Sequence, residues 1–99
     1  MNRQDILNLA INSYGASSQE DMMIEECSEL VKAILKLRRF YDSGYDGEVE
    51  EKKYIKAIKE EIADVQIMLD QMKLIYGSTE KEEEYKIRRL EKRLKGDTK

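Results

Sequence analysis

Two short acidic motifs carry the residues of this chain whose types and spacing could do chemistry. The first places Glu25, Glu26 and Glu29 ahead of an apolar run, and the second places Glu61 and Asp64 within another. A carboxylate inside an apolar helical stripe is unfavourable, because burying an unpaired charge costs several kcal/mol or forces protonation. We therefore interpret the two motifs as a functional site.

Helical geometry predicts that the two motifs meet. Glu26 and Glu29 are three residues apart, as are Glu61 and Asp64, and this spacing keeps two side chains on neighbouring turns of one helix surface. If the two helices pack antiparallel, the four carboxylates converge. Ligation by oxygen alone suits hard divalent cations, so these four residues predict a site for Mg²⁺ or Mn²⁺, with phosphate oxygens and water as further ligands.

The same motifs also have an interpretation without function. Glutamate-rich helices often show such spacings, and the acids would then form ion pairs with lysines of the same surface, here Lys32, Lys36 or Lys59. The motif occurs twice, each time beside the apolar face of a strongly amphipathic helix. This duplication favours the metal site.

The elements that must position these acids are helices. The chain has no proline, five glycines and 39% charged residues, a composition that favours helix throughout. The apolar periodicity and the breakers predict four helices: residues 4–14, a second helix from a cap at Ser17 or Ser18 to about Phe40 or Tyr41, residues 48–76 and residues 80–95. We expect an all-α fold, an antiparallel bundle of about four helices in a single domain over 1–99. Its core would span about 17–77, and a charged helix would follow at about 80–95.

Helix starts and core faces follow from local patterns. Ser17 or Ser18 is expected to cap the second helix, and Thr79 is expected to form a capping box with Glu82. On the second helix the core face is predicted to centre on Cys27. We interpret this lone cysteine as a small buried side chain without a catalytic role.

Composition excludes several classes of function. The chain has no histidine, which excludes histidine-dependent zinc sites, histidine triads and the Glu-x-x-His di-iron motif. The formal charge of −3 gives no basic face for a nucleic-acid backbone. One cysteine cannot form an intramolecular disulfide, and no segment reads as a signal peptide or a membrane span. We expect a cytoplasmic protein without nucleic-acid or membrane partners.

The two acidic stretches resemble a known family. The segments IEECSELVKAILKLRR and KEEIADVQIMLDQMKLIYG are similar to the MazG-like nucleotide pyrophosphohydrolases of the all-α NTP pyrophosphatase superfamily. The signature of that family is Glu-Glu-x-x-Glu on one helix and Glu-x-x-Asp on the next, which falls here on Glu25, Glu26, Glu29, Glu61 and Asp64. The 31 residues between Glu29 and Glu61 make a slightly longer spacer than is usual in the family.

The resemblance implies hydrolysis of a nucleoside triphosphate between its α and β phosphates, with the monophosphate and pyrophosphate as products. Glu26, Glu29, Glu61 and Asp64 would hold one or more Mg²⁺ ions, with Mn²⁺ as an alternative. Glu25 or Glu29 would orient or deprotonate the attacking water. A metal held by carboxylates supplies the charge neutralisation that phosphoryl chemistry needs. The family also forms dimers or dimers of dimers, so a homo-dimer or homo-tetramer is expected.

Two lysines are candidates for binding the departing pyrophosphate. Lys36 lies two helical turns after Glu29, and Lys53 lies two turns before Glu61. The alternative function is a non-catalytic helical module for nucleotide sensing or protein interaction, which the thin and highly charged fourth helix favours. The residues leave the preferred base and sugar open.

Overall fold

The computed structural model describes residues 1–44 and 46–96, which form four α-helices and no strand. The helices are α1 (Arg3–Tyr14), α2 (Ala16–Asp42), α3 (Glu48–Tyr76) and α4 (Glu80–Leu94). The all-α prediction is confirmed. The bounds of α1, α3 and α4 agree with the prediction within about one residue, whereas α2 begins before both of its predicted caps. Tyr45 and residues 97–99, which the predicted domain also includes, lie outside the described residues.

One glycine separates the first two helices. Gly15 ends α1 and precedes α2 with φ of 92°, a left-handed conformation that residues with a side chain rarely adopt. The start of α1 carries a capping box that the sequence analysis missed. The Asp5 amide donates to the Asn2 side chain over 2.8 Å, and the Asn2 amide donates to the Asp5 carboxylate over 3.4 Å.

Both predicted caps are wrong. The second helix begins directly after its glycine cap, which has no side-chain cap bond, so Ser17 and Ser18 lie inside the first turn. A capping residue needs a non-helical backbone, which neither serine then has. At the fourth helix, Thr79 makes no side-chain cap bond and its hydroxyl donates to the Glu83 carboxylate, so the predicted box with Glu82 does not form.

The antiparallel pair of α2 and α3 forms the centre of the fold. α1 packs on both of these helices, whereas α4 packs on none of the other three along the described ranges. An ion pair joins the start of α4 to α3, with 3.4 Å between Lys73 Nζ and Glu83 Oε2. The carboxylates of interest are therefore positioned by α2 and α3 alone.

The face of α2 that packs on α3 differs from the predicted one. We call it the inner face of α2; its residues are buried or half-buried and recur at three and four positions: Gln19, Met23, Glu26, Leu30, Ala33, Leu37 and Phe40. Its centre lies about 100° from Cys27, on the side of Glu26. The prediction centred on Cys27 was wrong because α2 has two apolar faces, and periodicity does not say which one packs on its neighbour. Glu26 thus lies inside the helix contact.

A pair of chemically similar side chains lies at each end of the contact between α2 and α3, two aromatic rings at one end and two amides at the other. Near the connection to α3, the rings of Phe40 and Tyr54 lie 5.3 Å apart at 44°. At the opposite end, the amide of Gln19 donates to that of Gln71. The Glu26 carboxylate lies between these two ends.

The second apolar face of α2 continues onto α3 and stays uncovered. We call this surface the apolar side; its exposed residues are Ile24, Val31, Ile34 and Leu35 on α2, and Ile55, Ile62, Leu69 and Tyr76, seven residues apart, on α3.

The radius of gyration is 17.7 Å, against about 13 Å for a compact chain of this length. None of the described helices combines the length and the apolarity needed to cross a membrane.

Candidate metal centre

Three carboxylates from α2 and α3 converge in the middle of the helix pair. Glu26 on α2 and Glu61 and Asp64 on α3 each offer an oxygen, and these oxygens all lie within 4.8 Å of one another. We call this group the carboxylate cluster. Glu61 and Asp64 reach it together because a spacing of three residues places them one turn apart on the same face.

The cluster disfavours the ionised form of Glu26. Burial raises the pKa of Glu26, and the charges of Asp64 and Glu61 raise it further. The close approach of the Glu61 carboxylate raises the pKa of Glu26 in the same direction, because only a protonated Glu26 can donate a hydrogen bond to it. The Oε2 atom of Glu61 is buried and has no hydrogen-bond partner within the described part of the chain. A buried oxygen without a partner is an unfavourable feature that a bound cation would relieve.

The described chain places no cation of its own at the cluster. None of the ion pairs among residues 1–44 and 46–96 involves Glu26, Glu61 or Asp64. Three convergent carboxylate oxygens without nitrogen or sulfur donors form a ligand set for a hard divalent ion such as Mg²⁺ or Mn²⁺. The residues present therefore fit the predicted metal, with ligand positions left for water or phosphate.

Glu29, the fourth predicted ligand, lies outside this group. Its Oε1 atom is 3.4 Å from the Lys32 Nζ atom, which is the kind of surface ion pair expected if the acid has no function. Glu26 lies near the centre of the inner face of α2, and Glu29 lies about 60° further round the helix, at the edge of that face beside Lys32. The structure thus brings three of the four predicted ligands together, and ligation by Glu29 stays a prediction.

The remaining predicted residues surround the cluster at greater distances. Glu25 is exposed beside Glu26, and its charge contributes to the raised pKa of that neighbour. Lys36 lines an open cleft of about 610 Å³ at the far end of the helix pair, and it lies about 15 Å along the helix axis from Glu26. Lys53 is exposed on α3, about 12 Å along the axis from Glu61. Their roles as phosphate ligands stay predictions.

Two polar contacts near the cluster escaped the sequence analysis. Gln19 and Gln71 are buried against each other, and Arg3 pairs with Asp70 over 2.6 Å. For the glutamines a signal exists, because Gln19 stands seven residues before Glu26 on the same helix face. The arginine contact joins residues 67 positions apart and has no local signal.

Comparison of the chain with protein-family models, curated proteins and solved structures finds no match. The resemblance to MazG-like enzymes stays a prediction based on the two acidic motifs.

Proposed function

We propose that the protein is an Mg²⁺-dependent nucleoside triphosphate pyrophosphohydrolase, which cleaves an NTP or dNTP to the monophosphate and pyrophosphate. One observation carries the proposal: the oxygens of Glu26, Glu61 and Asp64 lie within 4.8 Å of one another, and no described lysine or arginine pairs with them. Such a group repels itself unless a proton or a cation neutralises it. A divalent ion does so at neutral pH and also attracts a polyphosphate.

The carboxylate cluster would hold the ion through Glu26, Glu61 and Asp64. A bound Mg²⁺ or Mn²⁺ ion supplies neutralisation of the charge on the phosphates and a fixed position for their oxygens. The protein then has only to orient a water molecule and accept its proton. This division of labour needs no histidine, in agreement with the composition, and gives Cys27 no role.

Glu29 is suited to the water-activating role, with Glu25 as the alternative. Glu29 lies one turn from Glu26, outside the cluster, so its carboxylate is not consumed by the three-ligand group. Its present partner, Lys32, holds it only through an exposed pair of the kind that contributes about 0.5 kcal/mol or less. A rotamer change would release it towards a bound substrate.

Lys36 and Lys53 are proposed to bind the departing pyrophosphate. On a helical wheel, Lys36 lies on the same side of α2 as Glu29, and Lys53 lies on the same side of α3 as Asp64. A triphosphate lying along that side of the helix pair would extend from the cluster towards both amines. Lysine recognises phosphate as a point charge and needs no fixed geometry for it.

The apolar side is proposed to pack on a second copy of the chain, giving a homo-dimer or homo-tetramer. Ile24 is 70% exposed, Val31 56% and Ile62 51%, and these residues belong to one continuous surface of α2 and α3. A monomeric protein rarely leaves so many apolar side chains in water. Changing Val31 to Glu should reduce the mass measured by analytical ultracentrifugation to that of the 11.7 kDa chain.

A nucleotide panel tests the proposed reaction. The protein is incubated with each NTP and dNTP in the presence of Mg²⁺ or Mn²⁺, and released pyrophosphate is measured. Glu61→Gln should abolish release, whereas Glu60→Gln, which changes the exposed acid next to it, should leave release unchanged. The proposal fails if the folded protein turns over no nucleotide. Tight nucleotide binding that survives Glu61→Gln would instead support the non-catalytic module.

A further inference from the structure

A buried amide pair links the two helices that form the metal centre. The Gln19 side chain donates from Nε2 to Oε1 of Gln71 over 2.7 Å, and Nε2 of Gln71 donates to the Met68 sulfur over 3.7 Å. Gln19 is 6% exposed and Gln71 3%, and they are the buried polar residues of the described chain. The mechanism proposed above uses neither of them.

On each helix, the glutamine of the amide pair lies on nearly the same face as a cluster carboxylate, two turns away along the axis. Gln19 stands seven residues before Glu26 on α2, and Gln71 stands seven residues after Asp64 on α3. Seven residues span two helical turns, or about 10.5 Å, so two side chains seven positions apart point in nearly the same direction. In an antiparallel pair, any arrangement that keeps Gln19 opposite Gln71 therefore keeps Glu26 opposite Asp64.

Apolar packing alone does not hold this arrangement. Apart from the positions of Glu26 and Glu61, the contact has an apolar residue about once per turn: Met23, Leu30, Ala33 and Leu37 on α2, and Tyr54, Ile58, Val65, Met68 and Met72 on α3. Such repeats pack almost equally well after one helix slides past the other. A slide of one turn that moves Glu26 away from Glu61 and towards Met68 is about 5.4 Å, which exceeds the 4.8 Å that contains the cluster oxygens. Without a cation, the mutual repulsion of the carboxylates favours such a slide.

We propose that the Gln19–Gln71 pair fixes the register of α2 against α3 and thereby assembles the metal centre. A slide would separate the two amides inside the helix contact and leave them without partners, which is strongly unfavourable. Single polar residues in apolar helix contacts specify register in the same way. The effect on the metal rests on the proposed function, whereas the effect on register does not.

Metal affinity tests the link to the centre. Mn²⁺ binding is measured by electron paramagnetic resonance for the wild type, Gln19→Leu, Gln71→Leu and the double variant, beside their unfolding temperatures. Each single variant leaves one buried amide unpaired and should unfold at least about 4 °C lower. The double variant should regain most of that temperature but bind Mn²⁺ about tenfold more weakly. Met23→Leu is the control and should change neither quantity appreciably.

A second measurement tests register without metal. Spin labels are placed at exposed positions as Asp21→Cys and Lys56→Cys in a Cys27→Ser background, about 20 Å apart along the axes, and their distance distribution is recorded. The wild-type glutamines should give one distance, and the double leucine variant should add a population shifted by about one turn. A single unchanged distance in that variant, or wild-type Mn²⁺ affinity, overturns the inference. Absence of Mn²⁺ binding by the wild type overturns the metal centre, while the distances still decide the register.

Discussion

Asp70 on α3 and the carboxylate cluster between α2 and α3 place acids in opposite environments. Asp70 accepts hydrogen bonds from Arg3, over 2.6 Å from Nη2 and 3.2 Å from Nε, and from Gln66 over 3.0 Å. The Arg3 hydrogen bond is the main reason that the pKa of Asp70 is lowered. In the carboxylate cluster, by contrast, burial and neighbouring acids raise the pKa of Glu26.

The difference shows where the chain supplies its own counter-charge. A single acid on the side of α3 that faces α1 receives a guanidinium from α1 and serves to hold that helix. The half-buried Glu26 and Glu61 and the exposed Asp64 receive no cation from the described residues. The Arg3–Asp70 pair therefore stabilises the fold, whereas repulsion within the carboxylate cluster destabilises it. Perturbed acids of this kind cluster at functional sites, which favours the proposed metal centre.

The largest expected contrast between the two sites is their response to metal. Mg²⁺ or Mn²⁺ at a hundred times its dissociation constant should raise the free energy of unfolding of the wild type by about 2.7 kcal/mol. Glu61→Gln should lose this gain because it removes a ligand, and Asp70→Asn should keep it because Asp70 lies outside the cluster. Thermal unfolding with and without the ion measures both. An equal gain in Glu61→Gln would place the ion elsewhere.

The second prediction compares Glu26 and Glu29, the two predicted metal ligands on α2, in their effects on Mn²⁺ binding and on pyrophosphate release. Glu26→Gln should weaken Mn²⁺ binding at least about tenfold, or about 1.4 kcal/mol, because Glu26 belongs to the cluster. Glu29→Gln should weaken it less, since Glu29 contacts Lys32 instead, yet should still slow pyrophosphate release if Glu29 activates water. Calorimetric titration with Mn²⁺ and the release assay give the two quantities. Equal loss of Mn²⁺ affinity in both variants would make Glu29 a fourth ligand.

The sequence predicts features that depend on residues close together in the chain better than features that depend on tertiary packing. The four helices and the approach of Glu26 to Glu61 and Asp64 follow from local periodicity plus one assumption, antiparallel packing. The choice of packing face on α2 does not, because Ile24 and Val31 make the uncovered face as apolar as the inner one. Burial of Glu26 in the contact was therefore missed.

Long-range polar contacts lay outside any local pattern. The Arg3–Asp70 pair joins residues 67 positions apart, and Gln19 and Gln71 are 52 apart. An arginine near a helix start and a glutamine on a helix face are ordinary surface residues until the tertiary fold gives them partners. Only the seven-residue spacing of Gln19 from Glu26 hinted that the amide belonged to the same contact.

A third contrast concerns stability without metal. Glu61→Gln should raise the free energy of unfolding of the metal-free protein by about 1 kcal/mol, because it removes one charge from the cluster and adds an amide donor for Glu26. Asp70→Asn should lower it by about 0.5–1 kcal/mol, a modest loss because Arg3 is largely exposed. Urea unfolding in a chelator measures both. If both variants changed the free energy of unfolding in the same direction, the carboxylate cluster and the Arg3–Asp70 pair would not have opposite effects on stability.

The smallest contrast is in pH dependence, and its sign differs between the sites. For Glu26, whose pKa is raised from 4.5, the native state binds more protons than the unfolded state above pH 4.5. Metal-free stability should therefore fall as pH rises through the raised pKa. For Asp70, whose pKa is lowered from 3.8, the unfolded state binds more protons. Its contribution is present above pH 3.8 and is lost as pH falls towards the lowered pKa.

Urea midpoints from pH 3 to pH 7 in a chelator separate these contributions. Glu26→Gln should flatten the loss of stability above about pH 4.5, and Asp70→Asn should flatten the loss on acidification below about pH 3.8. Saturating Mg²⁺ should remove the Glu26 contribution, because a bound cation keeps the carboxylate ionised and protons then compete with the metal. If Glu26→Gln leaves the upper slope unchanged, Glu26 is not the group that the cluster forces towards its protonated form. The contrast with Asp70 would then rest on Arg3 alone.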